Sequence, residues 1–373
     1  MRRILCTLLL PLLAAAAPPA GALEADPALI AAWPRTDFAR RRIDLGEILP
    51  GGPPKDGIPA IDRPRFEAVA EAASWLEREE PVIALVIGGE ARAYPLQVLI
   101  WHEIVNDTVA GVPVAVTFCP LCNASIVFDR RVGGEVLDFG TTGLLRRSDL
   151  VMYDRQSESW WQQLTGEAIV GRYTGAVLRQ LPSAVVAFAD FAAAHPRGRV
   201  LSRRTGFRRP YGRNPYRGYD RIGNQPFLLR DPADPRLPAM ERVLAVSLGG
   251  VHRLYPERVL RERAVIEDEV GGEPVVIFAG RSARSALDAE AIARARAVPV
   301  AAAYSARLGG RRLHFEAVGP GRYRDRETTS LWDLFGRAVA GPLAGRRLAP
   351  APGGVHFAFA WLAFYPESEI YGR

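Results

Sequence analysis

Apolar and polar positions repeat one order of elements twice along the chain. The apolar runs Val82 to Ile87 and Val243 to Leu248 each meet a Gly-Gly pair, cross a short alternating stretch and end on Tyr-Pro (Tyr94-Pro95; Tyr255-Pro256). That pattern predicts a strand, a tight turn and a second strand. Helical spacing follows over Pro95 to Val105 and Pro256 to Val265, with proline at its favoured first helical position. Next come apolar, strand-like runs, Val112 to Phe118 and Ala124 to Phe128 in the first pass. A hairpin at Gly133-Gly134 or Gly309-Gly310, a tryptophan-bearing segment and a last helix complete each pass. Upstream, Phe66, Val69, Ala70, Ala73 and Leu76 recur near a period of 3.6 and predict an amphipathic helix.

The two passes align at an offset of 243 − 82 = 161 residues. At that offset Asn106-Asp107 meets Glu267-Asp268. Further on, Asp154-Arg155 and Trp161 match Asp325-Arg326 and Trp332, and Gly166, Gly171 and Gly175 match Gly336, Gly341 and Gly345. The chain therefore reads as an α+β protein, a tandem duplication of a mostly antiparallel β-rich unit with short helices, its halves related by a pseudo-twofold axis. Residues 64–198 form the first repeat and 241–373 a degenerate second one. Residues 23–63 read as an extended Pro/Gly-rich arm. Residues 199–240, where arginines alternate with Phe207, Tyr211, Tyr216 and Tyr219, read as a linker with aromatic anchors or as an anion-binding lid that would use Lys55, Arg213, Tyr211 and Tyr216.

Positions kept in both passes serve the shared fold, and those reactive in only one mark a site. His102 aligns with Arg263, Glu103 with Ala264, Cys119 with Ala279, Cys122 with Ser282 and Met152 with Tyr323. The histidine, both cysteines and the methionine are thus absent together from the second half. This makes Cys119-Pro120-Leu121-Cys122 the centre of the chain's chemistry, entered and left through apolar strands.

Three chemistries fit that pair. Two thiolates, the imidazole of His102 on its helix and the Met152 thioether would make a soft-metal site that favours copper, with zinc as the alternative. Glu103, Asn106, Asp107 and Asn123 are the neighbours that would hold such ligands in orientation. A thiol–disulfide oxidoreductase is the second reading, although the stretch after Cys122 looks like strand where redox motifs have a helix. The third is a structural disulfide in an envelope ligand-binding protein. A c-type haem is excluded, because Asn123 and not histidine follows the second cysteine.

Composition narrows the setting. At 373 residues and 48% hydrophobic, the chain is long enough for two packed units. Arg2 and Arg3, the apolar run Ile4 to Ala17 and Ala20-Gly21-Ala22 predict a signal peptide over residues 1–22, cleaved near Ala22, and hence a periplasmic or secreted protein. No later segment is apolar enough to span a membrane. Without the leader's two arginines the net charge of +7 falls to 7 − 2 = +5, mild for this length, and nucleic acid is not an expected partner.

Phe118-Cys119-Pro120-Leu121-Cys122-Asn123, Met152-Tyr153-Asp154-Arg155-Gln156, Trp161 with Gln163, and Gly166-Glu167-Ala168-Ile169 resemble the motifs of a large family of exported bacterial and archaeal proteins catalogued as a domain of unknown function. The arm Gly52 to Pro59, Trp101 to Asp107 and Tyr211 to Tyr216 look like its other recurring blocks. The resemblance covers nearly the whole chain after the leader. It supplies no reaction, and it implies that the arm and the Tyr211 to Asp220 loop share one pocket with the Cys–His segment.

Overall fold

Alternating side chains build the first hairpin. Pro81–Ile87 pairs antiparallel with Glu90–Pro95, and Gly88 and Gly89 turn between them with φ of 56° and 86°. Two positive φ angles in succession are what a two-residue turn needs to follow strand twist. The computed structural model describes residues 27–373; the predicted leader and its cleavage near Ala22 lie outside them. The described chain is α+β, mostly antiparallel and β-rich, with a few short helices.

Among the described residues, the first half has three larger sheets beside the two-stranded hairpin of Arg131–Val132 and Glu135–Val136. One places Ser183–Ala187, Pro81–Ile87, Glu90–Pro95, Arg199–Leu201 and Phe66–Ala68 side by side, with a single parallel join between Glu90–Pro95 and Arg199–Leu201. The second orders Gln180–Leu181, Ala124–Asp129, Val112–Cys119 and Ile104–Val109. The third runs from Ile48–Pro50 through Phe139–Arg146, Asp149–Asp154 and Trp160–Gln162 to Ala168–Val170. Residues 241–373 show matching pairings. Val243 faces Pro256 as Val82 faces Pro95, and Arg253 meets Glu369 in a parallel join as Arg92 meets Arg199. Polar clasps match as well. Tyr94 donates to Asp107 at 2.6 Å and Tyr255 to Asp268 at 2.8 Å, while the indoles of Trp161 and Trp332 donate to Asp154 and Asp325 at 3.0 and 2.8 Å.

The helices differ from the spacing. Phe66–Ala68 is a strand, and only Val69–Ala72 of the predicted helix is helical. Phe66 faces Leu201 across the sheet, a tertiary pairing that outweighs local period. Leu96–Leu99 is one turn and Glu257–Glu262 under two, with Pro95 and Pro256 as N-caps that end the preceding strands and not as first helical residues. The first of these helices stops because Ile104 and Val105, β-branched, join a strand beside Val112–Cys119. His102 is consequently not on a helix but in the turn after one.

The largest core cluster draws from both halves, so Val116 and Phe118 share it with Val243, Phe357 and Phe359. The connecting loop is bolted to this body. Asp220, fully buried, accepts from Arg242 at 2.7 Å, Ser285 at 2.6 Å and Arg296 at 2.9 Å, and the amides of Asn214 and Gly218 donate to Glu290 and Asp288. Tyr211, Tyr216 and Tyr219 pack half-buried on the core. A solvated linker does not describe it.

Candidate functional site

Val112–Cys119 stops pairing at Cys119, opposite Ala124, since Pro120 has no amide to continue the ladder. The four residues between make a tight knuckle, closed by the Asn123 amide on the Pro120 carbonyl at 3.2 Å, with Asn123 left-handed at φ 49°. The knuckle brings both sulfurs to the sheet's end, where Asp149 begins its own strand in the neighbouring sheet. The Sγ atoms of Cys119 and Cys122 and a carboxylate oxygen of Asp149 all lie within 4.8 Å of one another. Both cysteines are free and buried.

Asp149 is held from behind. Its Oδ2 accepts from the Gln162 amide at 2.6 Å and the Leu164 amide at 2.9 Å, while its Oδ1 has no partner. Gln163 braces the knuckle's strands, donating to Thr117 Oγ1 at 2.8 Å and the Ala124 carbonyl at 3.2 Å. The Cys122 thiol points at the Ser148 carbonyl, 3.5 Å away. Glu103 enters from the turn after Leu96–Leu99, with its carbonyl accepting from the Phe118 amide at 2.8 Å. Glu103, Asn123 and Ser148 all adopt positive φ (58°, 49° and 66°), each a strained backbone at the rim of one site.

Burial sets the electrostatics. It pushes the Glu103 carboxyl up to about 8, with Asp149 adding repulsion, and lifts Asp149 to about 6. It raises the Cys119 thiol, and the Cys122 thiol well above its ordinary value, where Cys119 adds to the effect. No cationic side chain is among the main influences on any of the four. Tyr216 and Tyr219 of the connecting loop complete the enclosure; burial raises both, with Glu103 and Cys119 close enough to add to the first and both thiols to the second. The second half closes the remaining side: the Phe357 amide donates to the Cys122 carbonyl at 2.9 Å.

Several expected neighbours are engaged elsewhere. His102 Nδ1 meets the Pro59 carbonyl at 2.7 Å and Nε2 meets the Tyr211 hydroxyl at 2.7 Å. Burial holds this histidine near 4, neutral, so Nδ1 carries the proton and the Nε2 lone pair accepts from Tyr211. Both ring nitrogens are engaged, and the third donor group beside the two sulfurs is Asp149. Met152 is fully buried in the core opposite Trp161, and nothing in its packing marks it as a ligand. Asn106 clasps Asp62 and the Phe139 backbone, and Asp107 pairs with Arg92 and Tyr94. These are fold contacts. Lys55 is paired with Glu158 at 2.7 Å over the Trp33 ring, and Arg213 lies 3.5 Å from Glu290. Lys55 and Arg213 are therefore each matched by a carboxylate.

Asp149 was missed by motif reading, though the comparison that pairs Met152 with Tyr323 sets Asp149 against Pro320 and Ser148 against Gly319. In the second half the knuckle is replaced by a strand of twelve residues, Glu273–Arg284, bulged at Gly280 (φ 85°). Tyr323 stacks on Phe278 at 4.0 Å and donates to the Ala279 carbonyl there. Among the described residues no helix is long and apolar enough to cross a membrane. No curated protein and no solved structure matches the chain. Residues 55–368, which hold the knuckle, Asp149 and the tyrosine loop together, match the family model described as protein of unknown function (DUF3179), and the chain belongs to that family.

Proposed function

We propose that the knuckle holds a thiophilic metal ion and that the protein handles this ion outside the cytoplasm. The carrying observation is the buried convergence of Cys119, Cys122 and Asp149 donor atoms within 4.8 Å. Two thiols and two carboxyls share this space with no cationic side chain, an arrangement that a bound cation relieves. Apart from the two thiols that face the carboxylate, Asp149 Oδ1 has no partner, which supports the same reading. A carboxylate in place of imidazole and thioether shifts the preference from copper(I), which favours sulfur, toward zinc, which takes sulfur and oxygen together. Copper remains the comparison metal.

A thiol–disulfide catalyst has less support, because it needs an accessible, acidic thiol and these are buried with raised pKa. Matching hairpin registers and matching Tyr–Asp and Trp–Asp clasps favour a duplicated ancestor whose halves are related by a pseudo-twofold. Export rests on the basic and apolar leader alone.

Metal per chain, measured by mass spectrometry after zinc or copper supplementation, tests the site. Wild type is expected to hold one ion, Cys119→Ser and Asp149→Asn to lose it, and His102→Ala to keep it. Metal-free wild type, or metal retained by Cys119→Ser, refutes the reading.

A further inference from the structure

A cavity of about 530 Å³ lies between the halves, and neither cysteine lines it. Ala84 and Val86 wall it from the first half, Ala302 and Val355 from the second. A mainly apolar hollow of this size, where two packed units meet, has the dimensions of a small-molecule site. Its polar complement is sparse. The Tyr304 hydroxyl is committed to the Leu334 carbonyl at 2.8 Å, and the Gln180 amide to the Gly353 carbonyl at 2.9 Å.

Two lining groups remain. Ser125 is 9% exposed and its hydroxyl has no hydrogen-bond partner, a costly condition for a buried donor. Arg347, an exposed residue, is the one charged residue in the lining; no carboxylate lines the cavity, and among the described residues none forms an ion pair with this guanidinium. Apolar walls with a single exposed cation and no carboxylate suit a ligand that is apolar at one end and anionic at the other.

We infer that this cavity binds a small amphipathic anion, its apolar body against the alanine and valine walls and its carboxylate on Arg347. The site stands whether or not the knuckle holds metal. A charge-assisted contact with arginine is stronger than a neutral one, which separates an anion from its alcohol.

Isothermal titration calorimetry of the full chain with decanoate and with decanol tests this. Decanoate is expected to bind one per chain, about tenfold more tightly than decanol. Arg347→Gln is expected to remove that difference, and Ala302→Phe, which fills the cavity, to remove both ligands while the melting temperature reports on folding. If Ala302→Phe unfolds the chain, Ala84→Phe fills the cavity from the other half. Absence of saturable decanoate binding, or binding that survives a folded cavity-filling variant, overturns the site; equal affinity for decanol overturns the anion assignment.

Discussion

Asp220 offers the sharpest perturbation of the candidate site, although it touches no sulfur. It fastens the loop that carries Tyr216 and Tyr219 by accepting from Arg242, Ser285 and Arg296. In Asp220→Asn the shape is kept and the charge lost. Arg242, 5% exposed on its side chain, then keeps its hydrogen bond to Ser285 but has only Glu257, 3.9 Å away, as an ion-pair partner. Removing one partner of a buried ion pair costs about 3 kcal/mol at the low end. If that cost falls on the loop's attachment, the open state becomes about 150-fold more populated, at about 1.4 kcal/mol per tenfold. The assay is the rate at which Cys119 and Cys122 react with an aromatic disulfide reagent, in metal-stripped protein below the unfolding transition. A rise of about two orders of magnitude is expected, and Arg296→Gln, at a residue 36% exposed on its side chain, should change the rate far less. Thiol labelling unchanged in folded Asp220→Asn would refute the claim that this loop governs access to the sulfurs.

Further outcomes follow from buried ionisable groups and one crowded glycine. Glu103, raised to about 8 by burial, penalises the folded state once the unfolded chain's carboxyl ionises above 4.5. In metal-free protein Glu103→Gln should therefore stabilise increasingly as pH rises, by about 3 kcal/mol at pH 7; a urea midpoint shift that does not grow with pH contradicts this. His356 is buried and held near 3, so its neutral form contributes stability that is complete above 6.5 and lost as pH falls toward the folded value. At pH 5 His356→Gln should recover about 2 kcal/mol of the acid loss relative to pH 7, read from denaturation curves at both pH values. Gly143 has φ 74°, and a Cβ there would stand 2.0 Å from the Pro53 carbonyl oxygen. Gly143→Ala should cost about 1–3 kcal/mol through backbone strain alone and speed proteolysis near Lys55; an unchanged cleavage pattern would show that the arm does not depend on this contact.

The hairpins were legible because Gly-Gly pairs and alternation are local signals, and Val82 does face Pro95 as the spacing implies. The stretch from Phe66 was misread because its strand exists only through Leu201, more than a hundred residues away. His102 misled for a related reason. Its absence from the second half together with Cys119 is real, yet its partners are Pro59 and Tyr211, from the arm and the loop, whose approach no periodicity encodes. Asp149 was within reach of the same comparison, but it sits just ahead of the motif that drew attention to Met152. The convergence of two sheet ends that makes it a neighbour of the thiols is a property of the assembled fold.

The hydrogen bond from Phe357 to Cys122 has a consequence in time. The knuckle leaves the ribosome 357 − 122 = 235 residues before its last donor. Until then the Cys122 carbonyl lacks its backbone donor, and the tyrosine loop lacks the body formed around Arg242 and Ser285 to which it is fastened. A truncated first half is thus an unfinished container and not a smaller working one. The segment from 241 to 373, which carries no thiol of its own, determines when the site becomes complete.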